Sequence, residues 1–595
     1  MLLQGIDWTL IAAYFVISLL IGVAVTRKAG KSSTEFFAAG RNMPWWLLGV
    51  SMVATTFSTD TPNLVTDIVR RHGVAGNWFW WAFLLTGMLT VFVYARLWKR
   101  SGVLTDIEFY ELRYSCRPAA FLRGFRALYL GAFFNIVIMA TVSLAAIKIG
   151  RVLMNFSPLQ TIFIAGLVTM VYSSLGGLRG VLITDLIQFG LAMAGGLGAA
   201  LVALRLPQVG GLKGLLAHEA VSGRLALLPD FSVGSELFAV FLIPLLVQWW
   251  SVWYPGAEPG GGGYIAQRML AAKNEKHSVG AVFLFNAAHY ALRPWPWIIV
   301  ALASLVVFPN LDALRTAFPH AADVVNHDMG YPAMLTFLPA GFLGLVVASL
   351  IAAYMSTIST HLNWGASYLI HDFYHRFLRP QAHEKELVFV GRMATVLLML
   401  LAGVLALWME NALDSFQILL QIGAGTGLLF ILRWFWWRIN AASEIAAMVV
   451  SFLVAVYFRL IHDHTGLPQL DQWQELTIGV CITTFGWLCV TFLTKPTEEK
   501  TLVSFCRLVK PGGPGWSKIT GRLRGPDESS ESGDKAWQVP RGLLCMFLGC
   551  SAVYSTLFAV GHWIYGHRTV AMILSAIALV SSMLLVKAWS KLLAD

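Results

Sequence analysis

Apolar runs recur along the whole chain, each long enough to cross a hydrocarbon layer of ~30 Å as a helix. They predict about fifteen spans, at 7–26, 44–70, 75–98, 122–153, 159–176, 180–204, 234–255, 277–308, 336–373, 386–409, 412–435, 442–460, 474–495, 541–564 and 568–590. Water is absent at that depth, so each run must satisfy its own backbone, and an all-α integral membrane protein follows.

Three spans are interrupted by polar residues where oil is expected. The first interruption is Ala353-Tyr-Met-Ser356-Thr357-Ile-Ser359-Thr360-His361-Leu-Asn363, with four hydroxyls in five residues. At about 100° per residue, Ala353, Ser356, Thr357 and Thr360 share one quadrant of the helix, with Ser359 and Asn363 at its margin. Such a stripe offers the hydroxyl and carbonyl oxygens that a small hard cation accepts in place of water. A lone Ser or Thr more often bonds back to its own helix or glues helices together.

The second lies in span two, where Ser58-Thr59-Asp60-Thr61-Pro62-Asn63 puts a carboxylate and a proline near mid-membrane. Pro62 removes a backbone donor and disfavours helix at Thr61, so a broken helix with freed carbonyls around 57–61 is expected. The plain alternative is a proline kink capped by Asp60. Five spans later, Gln248-Trp249-Trp250-Ser-Val-Trp253-Tyr254-Pro255-Gly256 and then Gly260 to Gly263 mark a third break. Breaks at corresponding places in two five-helix halves are the mark of an inverted-repeat secondary transporter.

Composition agrees with the pattern. Of 595 residues, 57% are hydrophobic and 13% charged, and the mean hydropathy is +0.66. Lys and Arg crowd the connections 27–43, 99–121 and 496–540, whereas 309–335 and 461–473 hold only Arg315 between them. By the positive-inside rule the N-terminus is outside and the C-terminus cytoplasmic, in the cell (inner) membrane. Topology and anionic lipid therefore account for the net charge of +11, and no nucleic-acid partner is implied. The six cysteines lack metal-ligand spacing. The first span has no basic n-region or cleavage site and reads as a retained helix. Segment 496–540, rich in Pro, Gly, Ser and charge, reads as a flexible cytoplasmic loop.

Four motifs resemble one family. They are Ser33-Thr-Glu-Phe-Phe-Ala-Ala-Gly-Arg41, Ser173-Ser-Leu-Gly-Gly-Leu-Arg179 running on to Thr184-Asp185-Leu-Ile-Gln188, Tyr264-Ile-Ala-Gln267-Arg268 through Lys273, and the Ser356 stripe followed by Asp372-Phe-Tyr374. In this order, over about 1–495, the chain resembles the sodium:solute symporters, the group of the sodium/glucose, sodium/proline and sodium/sialic acid symporters. The resemblance implies a LeuT-type core of two inverted five-helix repeats at 44–440. Before it would come an extra helix and inner loop (1–43). After it would come two extra helices (441–495), the loop (496–540) and two C-terminal helices (541–595).

The same resemblance implies Na+ as the coupling ion. A shared sodium site would use the carbonyls of Ser58, Thr61 and Ala353 and the hydroxyls of Ser356 and Thr357. A second sodium would use Asp185 with Ser356, Ser359 and Thr360. Asp60 stands where the proline symporters carry an aspartate, and Pro62 departs from the family pattern. The solute would lie among Thr59, Asp60, Asn63, Trp80, Asn135, Gln248, Trp249, Trp253, Gln417 and Gln421. Where the sialic acid symporters hold a carboxylate with an arginine in span four, this chain has Asn135, with Arg126 only at the inner end. Tryptophan faces and amides suit a sugar or polyol; an amino acid or carboxylate is the alternative. An acyltransferase using His361 as general base is a remote second class, and it leaves Asp60, Asp185 and the stripe without a role.

Overall fold

The computed structural model describes residues 3–56, 58–232, 234–251, 258–409, 421–523 and 537–594. Among them the chain is helical, with one isolated bridge between Met43 and Ala272. Among the described residues eleven helices are long and apolar enough to cross a membrane, and Trp45–Thr56, Pro158–Val171 and Leu237–Ser251 are shorter apolar helices. Three of the about fifteen expected runs, at 44–70, 159–176 and 234–255, hold these shorter helices because breaks divide or end them, so the count by length among the described residues is eleven. The expected span 412–435 begins at residues outside the described set.

Helix α1 (Gly5–Ala29) leads into α2 (Trp45–Thr56) and α3 (Asp60–His72), which together replace the single run expected at 44–70. Pro62 explains the division. As the third residue of α3 its missing N–H falls among donors that have no intrahelical partner anyway, whereas in a continuous helix its ring would strike the carbonyl of residue 58. That Ser58 carbonyl instead accepts the Thr61 N–H at 3.1 Å.

Next come α4 (Val74–Ser101) and α5 (Cys116–Met154). Helix α6 (Pro158–Arg205) starts on a Ser157/Gln160 capping box with proline at its first position. Gly177, at φ 54° and ψ −163°, turns it midway, which is why the sequence shows two apolar runs there. Helices α7 (Leu237–Ser251) and α8 (Gly263–Ala271) flank the third predicted break. After α9 (Glu275–Val307) comes α10 (Phe342–Leu378), carrying the hydroxyl stripe. The start of α10 is fastened from afar: Asp7 Oδ1 accepts the N–H groups of Gly341 and Gly344, each at 2.7 Å. A carboxylate there suits both the orphan donors and the positive helix end.

Helices α11 (Glu384–Ala406), α12 (Gly427–Leu432), α13 (Ala441–His464) and α14 (Gln472–Leu493) complete the main bundle. Part of the segment expected to be a loop is helical, as α15 (Glu499–Val509) and α16 (Ser517–Leu523). Leu502, Phe505, Cys506 and Val509, spaced i, i+3, i+4, i+7, bury one face of α15. Trp516 is fully buried and donates its indole N–H to the Trp434 carbonyl at 2.8 Å. Residues 524–536 of that segment lie outside the described set. The last two helices, α17 (Val539–Ile564) and α18 (Arg568–Ala594), pair with each other, and α17 packs on α4 and α9. The centre of the bundle is α10, almost wholly buried, with α6, α1, α2, α5 and α11 around it.

At Gly177 an added Cβ would lie 2.7 Å from the Phe36 carbonyl oxygen, on a backbone at positive φ. Gly177→Ala should therefore cost about 1–3 kcal/mol and lower the unfolding midpoint followed by intrinsic tryptophan fluorescence. Gly190→Ala in the same helix, where the Cβ position is open, should leave the midpoint unchanged or raise it.

Candidate functional site

A helix that stops inside a membrane leaves its last carbonyls without intrahelical partners. At the end of α2, each of three such carbonyls has found one. Val53 and Thr56 accept from Arg293 of α9 at 3.2 and 2.9 Å, and Thr55 accepts the Thr357 hydroxyl of α10 at 2.8 Å. A guanidinium thus sits at the negative end of a half-helix, and the stripe of α10 lies against the break. Thr59 extends the contact by donating to the Leu350 carbonyl at 3.0 Å.

Around the break opens a central cavity of about 200 Å³. Ser58, Thr61 and Thr357 form part of its wall, so three of the five residues assigned to the shared sodium site meet there. Ala353 is buried in α10, and the Ser356 hydroxyl turns away to Asp185 Oδ1 at 2.7 Å. Asp60, Asn63 and Trp80 line the same space. Asp60 Oδ1, the Ser58 hydroxyl and both amide atoms of Asn63 are buried without a hydrogen-bond partner. No side chain caps the start of α3, which removes the main support for Asp60 as a simple cap. Trp80 is held by its indole N–H on Asn77 at 2.9 Å and stacks on Tyr290, centroids 5.8 Å apart.

Other sequence candidates fall elsewhere. Thr59 faces an apolar pocket with Trp8, Phe15 and Tyr354. Asn135 is fully buried, donating to the His361 carbonyl at 2.7 Å and meeting His361 Nδ1 at 2.6 Å, so it joins helices. Trp249 offers its carbonyl to the Thr86 hydroxyl and packs against the core. Gln248 and Gln421 line a second, larger cavity of about 490 Å³, Gln421 bonding Glu475 at 3.2 Å. The two cavities share Leu64, Asp67 and Trp80. Trp253 and Gln417 lie outside the described residues.

Sequence reasoning missed Lys148 and Asp328. Their ion pair, 2.8 Å long with side chains 3% and 15% exposed, lines the central cavity away from the break. A lysine inside the apolar run 122–153 was the available signal. Tyr264, His289 and Arg293 also line the cavity.

Asp185 forms a separate buried group. It accepts the hydroxyls of Ser51 at 2.5 Å and Ser356 at 2.7 Å and faces the Arg268 guanidinium at 3.8 Å. Arg268 in turn donates to the Thr360 hydroxyl at 2.7 Å. Ser359 bonds back to the Ser356 carbonyl at 3.1 Å. Three of the four residues assigned to a second sodium thus come together, and the guanidinium shares their space.

At the opposite end of the bundle from Asp328 and the large cavity, charged side chains pair across segments. Arg123 pairs with Glu108, Glu111 and Asp372, Arg126 with Glu258, and Arg433 with Glu444. Burial raises the Glu111 carboxyl, but hydrogen bonds from Arg376 and Arg123 outweigh it and hold the group below the ordinary range. Burial, reinforced by the charge of Glu258, pushes Asp106 up to about 6.

The family described as Sodium:solute symporter family matches residues 36–451. The chain is 26% identical over 491 residues to the sodium/glucose cotransporter of Vibrio parahaemolyticus, covering 79% of this chain and 88% of that protein. It is 26% identical over 505 residues to sodium/myo-inositol cotransporter 2 of Homo sapiens, covering 80% and 72%. Among solved structures it is similar to the substrate-bound outward-open state of a Na+-coupled sialic acid symporter, with TM-score 0.65 and 19% identity over 83% of this chain and 99% of that one. That likeness shows the fold.

Breaking one partner of a buried ion pair leaves an uncompensated charge at a cost of about 3–5 kcal/mol. Asp185→Asn should therefore lower the unfolding midpoint in detergent strongly, and Asp185→Leu combined with Arg268→Met should recover much of the loss. Additive losses in the double variant would show that acid and base do not act as a unit.

Proposed function

The chain belongs to the sodium:solute symporter family, and from that premise we propose that it imports a sugar or polyol with sodium by alternating access. It is a multi-pass membrane protein and a sodium-coupled transporter, not an enzyme. His361 accordingly serves as a packed hydrogen-bond partner of Asn135 rather than a general base.

The observation that carries the solute class is the set of unpartnered polar atoms facing the central cavity beside Trp80. The Asp60 oxygen accepts, the Asn63 amide accepts and donates, and the Ser58 hydroxyl does either. Vicinal hydroxyls of a polyol offer both donors and acceptors to such a set, and an indole face suits their C–H surfaces. Sodium/glucose and sodium/myo-inositol cotransporters among the relatives support this choice over amino acids and carboxylates.

The coupling ion binds where the α2–α3 break meets Ser356 and Thr357 of α10, using the carbonyls of Ser58, Thr61 and Ala353. Ser356 must turn from Asp185 to join it. At Asp185, Arg268 already supplies the cation and Ser51 a second hydroxyl, so the Asp185–Arg268 pair serves as a polar joint that outlasts the turn of Ser356 and not as a second sodium site. The core is 44–440 with two inverted repeats, the N-terminus outside and the C-terminus cytoplasmic. In that orientation the two cavities open outward and the ion-paired end faces the cytoplasm, an outward-facing state.

Uptake into proteoliposomes under an imposed sodium gradient tests the proposal. Labelled hexoses or myo-inositol should accumulate with sodium but not potassium, and amino acids should not; the reverse preference would sink the polyol assignment. Asn63→Ala should raise the solute KM about tenfold, the loss of one to two hydrogen bonds. Thr357→Ala should raise the sodium needed for half-maximal uptake and weaken solute through reciprocal coupling of ~1–3 kcal/mol. Normal uptake without sodium in Thr357→Ala would remove the ion site from the α10 stripe.

A further inference from the structure

The break between α7 and α8 carries oxygens that neither the central cavity nor the hydroxyl stripe uses. Glu258 is 4% exposed; Arg126 engages its Oε1, and Oε2 has no hydrogen-bond partner. Asn286 of α9 is fully buried, and its amide N–H donates to the Val282 carbonyl at 2.8 Å. That bond sets the orientation of the amide and leaves Oδ1 unpartnered. Both residues line one small cavity of about 30 Å³, together with Thr86, Thr90 and the glycines Gly261 and Gly262.

Glycines make room for these oxygens. A Cβ on Gly262 would lie 1.9 Å from Glu258 Oε2, and one on Gly87 would lie 1.7 Å from Asn286 Oδ1. The two threonine hydroxyls spend their protons on backbone, Thr86 on the Trp249 carbonyl and Thr90 on the Thr86 carbonyl, so they too present lone pairs. The named side-chain oxygens around this void are therefore acceptors. Buried acceptors without a donor are costly, and a guest that supplies positive charge relieves all of them at once. A void of this size holds one small guest. A hard cation takes carboxylate, amide and hydroxyl oxygens readily, and unwound backbone between half-helices is where symporter folds expose them.

We propose that a sodium ion binds between Glu258 and Asn286, with Thr86 and Thr90 completing its oxygen shell, at a site separate from the α10 stripe. Tyr290 lines this cavity while its neighbour His289 lines the central one, so the site adjoins the solute cavity on the side of the ion-paired end. The proposal rests on the sodium-coupled function of the family but not on the stripe assignment.

Equilibrium binding of ²²Na⁺ to the full-length protein in detergent, with choline as the replacing cation, tests it. Wild type should bind one more sodium than Asn286→Leu, which removes the oxygen and fills the void. In a Ser356→Ala/Thr357→Ala background, residual sodium binding should persist and disappear when Asn286→Leu is added. Asn286→Asp keeps the oxygens and adds charge, so it should tighten the residual binding at least tenfold, an effect that misfolding cannot mimic. Equal stoichiometry in wild type and Asn286→Leu with unchanged affinity in Asn286→Asp would overturn the site and leave a water-filled void. Loss of all sodium binding in the stripe background would overturn it too, while leaving the α10 assignment intact. Loss in Asn286→Leu with no effect of the stripe background would uphold this site and remove the other.

Discussion

Backbone carbonyls that end inside a bilayer must find partners in the protein, and the architecture of this chain follows from how three of them do so. Pro62 stops α2 short, which exposes Val53, Thr55 and Thr56. Arg293 and Thr357 then take those oxygens, and each partner has to be delivered by a different helix. Asp7 anchors the start of α10, which carries Thr357, and Arg293 lies over the Trp297 ring of α9 at 5.3 Å. The break is consequently a junction of three elements. Unwound backbone survives here because it is buried in protein and lines a cavity.

The ends of the bundle differ in how they are held. One is crowded with arginine–carboxylate pairs that engage segments far apart in sequence, such as Arg123 with Asp372 and Arg126 with Glu258. The other offers Lys148 with Asp328 over open space. Arg123 engages three carboxylates at once, so parting that end would uncover several charges together. Helix α15 strengthens that end: its Phe505 and the nearby Trp516 pack together with Arg113, whose guanidinium lies 4.8 Å over the Trp516 ring.

Much of this was legible before any coordinates. Helical spans, the Pro62 break and the hydroxyl stripe follow from periodicity and backbone chemistry, which are local properties. Asp60, Asn63 and Trp80, grouped from the sequence, line one cavity. Thr59 and Asn135 turn to other neighbours, because the face a residue presents depends on helix rotation at a break, which sequence does not encode locally. The Lys148–Asp328 and Asp185–Arg268 pairs were missed for a related reason: each joins residues more than eighty apart, and only the fold brings them together. Helix α15 shows the opposite failure. Its i, i+3, i+4, i+7 pattern was present, but the Pro, Gly and charge around it masked it.

The matching of acids with bases inside the bundle bears on how a membrane potential does work on the carrier. Asp185 faces Arg268, Asp328 holds Lys148, and Asp60 lies within electrostatic reach of Arg293. With those three pairs balanced, and Asp67 of the cavity wall paired with Arg71 at 2.6 Å, the empty cavity region is close to electrically neutral, and an arriving sodium contributes charge that has no counter-ion. The field then acts chiefly on the ion-loaded crossing, at ~2.3 kcal/mol per charge for every 100 mV, and hardly on the return of the empty protein. A negative interior would speed delivery of solute without slowing the reset of the machine.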